Sequence, residues 1–209
     1  MTPPIVTFSE VYYGRKTIPA SDLQELIAWL KANPTKASAG IYGVGSRLAS
    51  AYFQKETGTQ FTLVPYRGLA PVLQDMAAGQ IDICLSGVPA FLPLVRARSI
   101  KAYAVTSERR LAVAPEIPTV AELEIPRLSW PPAWFGLFAP KGTPKDVINK
   151  LNAAVVHALA DAATRSRLVD LGEEIIPDDH QSPEALRALQ ETHIKKLWPL
   201  IKEFGIKAE

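Results

Sequence analysis

Residues 37–50 read ASAGIYGVGSRLAS, with Gly40, Gly43 and Gly45 running into Ser46 and Arg47 at the head of a helical pattern. Small residues let backbone N–H groups approach a ligand closely. A helix N-terminus adds about half a positive charge, and Ser46 adds a hydroxyl. Such a nest suits a carboxylate or a phosphate, and Arg47 can supply a second, charge-assisted contact. The same composition also builds a plain strand-to-helix turn with no ligand, and Arg47 also reads as an ordinary surface arginine. No Gly-Lys-Ser/Thr follows the glycines, so this is not a phosphate loop of the Walker type. Leu48 stands where a dinucleotide fingerprint needs its third glycine.

The chain offers nothing to react with a bound anion. His157, His180 and His193 lie far apart and lack metal-ligand spacing, so no metal and no cofactor is expected. No Gly-x-Ser-x-Gly elbow occurs, and nothing pairs Asp75 with Asp82 as acid and base. The single cysteine, Cys84, sits in the run IDICL and reads as a small buried hydrophobe. A net charge of +2 without a Lys/Arg cluster argues against nucleic acid as a partner. With 47% hydrophobic and 21% charged residues over 209 positions, the composition is that of a globular protein with one large core or two small ones. No apolar stretch is long enough to cross a membrane. The opening MTPPIVTFSE lacks the basic-then-apolar order of a secretory signal.

The elements that must position the loop follow from periodicity. SDLQELIAWLKANP reads as a helix with Ser21 as cap, Gln24 completing a capping box and Pro34 as the stop. A short strand is expected near Lys36 to Ala39, and a helix from Ser46 to Glu56. QFTLVPY, IDICL and IKAYAVTS read as strands, with LAPVLQDMAAG and PAFLPLVRA as helices between them. That alternation implies right-handed crossovers and a mainly parallel sheet. TVAEL carries a box of Thr119 and Glu122. WFGLFAP reads as a strand apolar on both faces and running between two lobes, with bending near residues 129–132 and 12–18. A helix capped by Thr143, with Pro144 in its first turn, is expected to bury Val147, Ile148, Leu151, Val155 and Leu159. Two further helices follow, one ending at Gly172 and one opening at Ser182.

Three stretches of this pattern are specific. VPYRGLAPVLQDMAAGQID, VPAFLPLVRARSIKAYAVTSERR, and IPTVAELEIP with WFGLFAPKGTPKDVINKLNAAV resemble the substrate-binding receptors of tripartite tricarboxylate transporters, the Bug or TctC family. The resemblance implies an α/β fold of the type II periplasmic-binding-protein kind. It implies one complete, mainly parallel α/β lobe over residues 14–130, and an incomplete second lobe built from 131–209 with 1–13. It also implies a periplasmic receptor without catalysis, which binds a small carboxylate solute and delivers it to membrane transporter subunits. The ligand-binding set would be Ser38, Gly40, Gly43, Gly45, Ser46, Arg47, Ser86 and Gly87.

The chain departs from the family pattern in three ways. It lacks the N-terminal part of the first lobe. Its loop, Gly43-Val44-Gly45-Ser46-Arg47-Leu48, is one residue short and has no histidine. Ser86 and Gly87 stand where the family often has an aspartate, which disfavours an amino-acid ligand. A cytoplasmic ligand-sensing effector domain of the same fold is the competing reading. An enzyme on a related fold finds no acid, nucleophile or metal site. An incomplete lobe leaves open strand edges and half-covered helices, so a homodimer covering that face is expected, together with weak affinity for free solute.

Overall fold

The computed structural model describes residues 2–207. In chain order the elements are β1 (Pro4–Phe8), β2 (Glu10–Arg15), α1 (Leu23–Ala32), β3 (Ser38–Ile41), α2 (Gly43–Thr57), β4 (Thr62–Pro65), α3 (Leu69–Ala77), β5 (Ile83–Gly87), α4 (Val88–Arg96), β6 (Ile100–Val105), β7 (Ala133–Gly136), α5 (Lys145–Ala160), α6 (Ala162–Asp170), β8 (Glu174–Ile175) and α7 (Pro183–Glu203). They form two compact units. The larger holds residues 9–131 and the described part of 199–209; the smaller holds residues up to 8 and 132–198.

The larger unit is built on a five-stranded sheet in the order β4-β3-β5-β2-β6. β3 pairs in parallel with β4 and β5, while β2 runs antiparallel to both β5 and β6. Four strands therefore share one direction, with a reversed strand inserted between two of them. Sequence reading missed β2, because a central strand is covered on both faces and shows no alternation. Tyr13 stacks on Phe91 at 4.2 Å on one face, and Tyr12 meets Phe53 at 5.0 Å on the other. Gly14 leaves room for Tyr103 of β6: a Cβ there would lie 2.7 Å from the Tyr103 ring. The core on the α3–α4 face joins Val11, Tyr13, Val72, Met76, Ile81, Phe91 and Leu92.

Several expectations change at this point. Residues 9–13 belong to the larger unit rather than with the C-terminal part, and so do the described residues from Pro199 onward, the end of α7 and the tail after it. Residues 12–15 lie in β2, held between β5 and β6, and residues 16–18 also lie inside the larger unit, so no division between the units falls at 12–18. The divisions fall at Phe8/Ser9, Pro131/Pro132 and Trp198/Pro199.

α1 is capped by Asp22, whose carboxylate accepts from the Glu25 N–H at 2.8 Å; Ser21 instead donates its N–H and hydroxyl to Glu25, both at 2.7 Å. The reciprocal bonds of Thr119 and Glu122 form as expected, but they close a turn and not a helix.

The smaller unit has a three-stranded antiparallel sheet, β7-β1-β8. β7 is shorter than expected, ending at Gly136, and the WFGLFAP run is not buried on both faces: Phe135 in the strand and Phe138 beyond it are each 54% exposed. α5 starts at Lys145 with Pro144 as its cap residue, while the Thr143 hydroxyl donates to the Pro140 carbonyl. Its expected core stripe is only partly covered. Leu159 is buried, but Val147 and Leu151 lie on the surface, because a sheet of three short strands offers too little area to receive the whole face.

Candidate functional site

The C-terminal edge of β3, β4 and β5 is where three helices begin. α2 follows β3 through Tyr42, α3 follows β4 through Gly68, and α4 follows β5 through Gly87. Because the three strands are adjacent and run the same way, the positive ends of all three helices meet at one edge of the sheet. None of the three has a side-chain cap, and none has an acidic residue in its first turn. The other described α-helices each carry a negative group there: Asp22 and Glu25 on α1, Asp146 on α5, Asp161 on α6 and Glu184 on α7. The first N–H groups of a helix have no intrahelical acceptor, so at this edge they are open to water or to an anion.

The turn from β3 into α2 is held from inside. The Tyr42 N–H donates to the Ser46 hydroxyl at 2.7 Å, and that hydroxyl donates back to the Tyr42 carbonyl at 2.7 Å. Ser46 is buried, so its hydroxyl fixes the loop's shape. Gly43 sits in the left-handed region at φ 70°, which a side chain would strain. Gly45 has open space where a Cβ would project. The Tyr42 hydroxyl is hydrogen-bonded to Ser86 of β5, joining the starts of α2 and α4. Burial raises the Tyr42 pKa, so it stays a neutral hydrogen-bonding group. Beside it a cleft of about 140 Å³ is lined by Gly43, Val44, Arg47, Tyr66 and Lys207. The Tyr66 hydroxyl donates to Asp75 at 2.6 Å.

Of the eight residues singled out by sequence, Gly43, Gly45, Ser46, Arg47, Ser86 and Gly87 come together at this edge. Ser38 and Gly40 do not. Ser38 opens β3 at the opposite end of the strand, where its N–H (2.8 Å) and hydroxyl (3.0 Å) donate to Asp82, which also accepts from Arg15 Nε at 2.6 Å. That cluster ties three strands together. Gly40 is a packing glycine: a Cβ there would lie 2.6 Å from Ile81 Cδ1 and 2.9 Å from Val72 Cγ1.

Sequence reasoning missed Tyr42, Tyr66 and Lys207. Tyr66 lies in the VPYRG stretch, so its signal was present as part of a motif. Lys207 is brought to the cleft by a reversal at Gly205 (φ 60°), where the Ile206 N–H returns to the Ile201 carbonyl at 3.0 Å. No local pattern announces such a return.

Comparison with known proteins now decides the family. Residues 2–206 match the tripartite tricarboxylate transporter family receptor, TctC. The chain belongs to this receptor family. It is 35% identical over 92% of its length to the UPF0065 protein in the TAR-I ttuE-ttuC' intergenic region of Agrobacterium vitis, and 30% identical over 88% to BugT of Bordetella pertussis; it spans 56% of the length of each. Among solved structures, MatC from Rhodopseudomonas palustris with bound malate superposes with a TM-score of 0.90 at 29% identity, over 96% of this chain and 69% of that one. An R. palustris protein with adipate gives 0.89 at 29% identity, over 98% and 68%. The receptor fold and the α/β class are thereby established, and the family is one of receptors. No helix among the described residues is long and apolar enough to cross a membrane.

Proposed function

We propose that this receptor-family chain binds a small carboxylate at the edge where α2, α3 and α4 begin, and that it performs no chemistry on it. One observation carries the reading: these three helices lack any capping or acidic side chain, while every other described α-helix has one. A ligand carboxylate would supply the missing negative charge to the amides of Gly43 to Arg47, with Ser46 holding the loop and Arg47 and Lys207 adding positive charge. Malate and adipate in solved relatives support a carboxylate as the ligand class. Delivery to membrane transporter subunits, and a periplasmic location, follow as parts of the same reading.

Gly45→Ala tests it. Alanine in a helix is favoured over glycine by up to about 1 kcal/mol, and its methyl group would enter open space. The variant is therefore expected to be slightly more stable, yet to bind malate or succinate at least several-fold more weakly in calorimetry, because the methyl group keeps the ligand from the backbone. Unchanged affinity would place the site elsewhere.

The smaller unit's exposed apolar side chains, among them Phe135, Phe138, Ile194 and Trp198, support a second proposal, that a second copy of the chain covers them. Light scattering at micromolar concentration would show a dimer. A well-behaved monomer would refute it.

A further inference from the structure

Glu10 stands apart from every other acidic residue at the ligand edge. It is the first residue of β2, directly opposite Gly87, the residue that opens α4. Because β2 is antiparallel to its neighbours, its beginning lies at the edge where β3, β4 and β5 end. Its backbone is fixed: the Glu10 N–H donates to the Thr106 hydroxyl at 3.3 Å, and its carbonyl accepts from the Thr106 N–H at 2.9 Å. The side chain is not. Its Oε2 atom is sealed from solvent and has no hydrogen-bond partner.

The direction of the side chain follows from strand alternation. Val11 and Tyr13 enter the core under α3 and α4, and Tyr12 meets Phe53 of α2, so Glu10 projects on the α2 face of the sheet. It does so at the edge where α2 begins. Two strand spacings, roughly 10 Å, separate β2 from β3 and its following amide nest.

Resting on the carboxylate-binding reading above, we infer that Glu10 is a ligand group of this site, which binds the second carboxylate of a dicarboxylate as a neutral acid, so that each ligand is taken up with one proton. An unpartnered buried carboxyl is stable only when neutral or when matched by a ligand. A neutral carboxyl donates one O–H, which a second carboxylate can accept. Burial alone raises the Glu10 pKa to about 7. The titratable groups around it are Tyr12 and Tyr13 on β2, Cys84 on β5 and Tyr42 before α2, each pushed further from ionisation by its own burial. Arg47 and Lys207 carry the positive charge of the cleft at this edge. The proton balance is simple: the free site above pH 7 holds Glu10 as carboxylate, the bound site holds it as acid, and the proton comes from water.

Calorimetry of the full chain with succinate, at pH 6.5 to 8.5 and in HEPES against Tris buffer, tests this. Close to one proton should be taken up per succinate at pH 8.5 and far less at pH 6.5, with affinity falling nearly tenfold from pH 7.5 to 8.5. Propionate, with one carboxylate, should bind more weakly and take up no proton above pH 7. Glu10→Gln keeps a donor but cannot titrate, so it should bind succinate within a few-fold of the parent at pH 6.5 and show a flat profile to pH 8.5. Succinate binding without proton uptake, or an unchanged pH profile in Glu10→Gln, overturns the assignment while leaving carboxylate binding standing. Failure of the parent to bind succinate or any other carboxylate at any pH overturns both. The buffer comparison needs only the parent protein, so the outcome does not depend on the variant folding.

Discussion

Gly40→Ala separates a glycine that packs from a glycine that binds. Gly40 is in the same short loop-and-strand stretch as Gly43 and Gly45, and its sequence context suggested ligand contact. In the structure an added Cβ would approach Ile81 Cδ1 to 2.6 Å and Val72 Cγ1 to 2.9 Å. Both neighbours are essentially without exposure, at 1% and 0%, so neither can swing aside into solvent. Forcing a methyl group into such a place costs about 1–3 kcal/mol. The reduced freedom of the unfolded chain returns about 0.4–1 kcal/mol, so a net loss of about 0.5–2 kcal/mol is expected, read as a lower urea midpoint. Ile81→Val removes the closer atom. Alone it should cost about 0.5–1.5 kcal/mol. Combined with Gly40→Ala it should be little worse than alone, giving a coupling of about 1 kcal/mol. Carboxylate affinity of the folded protein should be unchanged throughout. If Gly40→Ala were as stable as the parent but bound ligand poorly, Gly40 would be a ligand contact and the packing argument would fail.

Two other expectations concern charge. Asp82→Ala removes the common acceptor of Arg15 and Ser38 and should destabilise the larger unit by about 3 kcal/mol in urea denaturation, without altering the affinity of the protein that remains folded. Glu173 is buried with an unpartnered Oε2, and burial raises its carboxyl to about 7. A carboxyl whose folded pKa is raised contributes stability below its unfolded pKa and loses it as pH rises through the folded one. Glu173→Gln should therefore match the parent near pH 4.5 and exceed it at pH 8 by about 1–3 kcal/mol, as measured by thermal melts across that range; a parallel pH dependence in the two proteins would refute the assignment.

What the sequence showed depended on how local the determining interaction was. The α2 loop was legible because its glycines, Ser46 and the following helix lie within a few residues. The helices from 21 to 96 were legible because each buries one periodic face against the larger sheet. β2 was not, since EVYYGR is covered on both faces and its partners β5 and β6 lie far along the chain. The exposure of Val147 and Leu151 was hidden for the opposite reason: the periodic stripe is present, but the sheet that would cover it is small. Ser38 and Gly40 were assigned to the ligand together with the glycine loop they precede. A strand rises about 3.3 Å per residue, so Ser38 lies roughly 15 Å from the nest and Gly40 points into the core.

Sequences that specify one structure usually satisfy every local rule, and the exceptions concentrate where function demands them. α1 and α6 begin with aspartate caps, α5 and α7 with acidic first turns, and the loop at Thr119 closes its own box. All these ends are self-sufficient. The three helices that break the rule do so at a single edge, and each break looks minor in isolation: a tyrosine where a serine or aspartate would stabilise by about 1 kcal/mol, and two glycines where the gain would be only a few tenths of that. A scatter of neutral drift would not place all three on adjacent parallel strands. Glu10 adds a fourth exception of opposite character, an acid beside three positive helix ends that none of its own side-chain oxygens is shown to cap. If Glu10 were there to neutralise the helix ends, it would be hydrogen-bonded to their amides and its pKa would fall. Its unpartnered oxygen and raised pKa point the other way. On the reading proposed above, the amides are left for a ligand's charge, and Glu10 is kept in reserve for the ligand's other end.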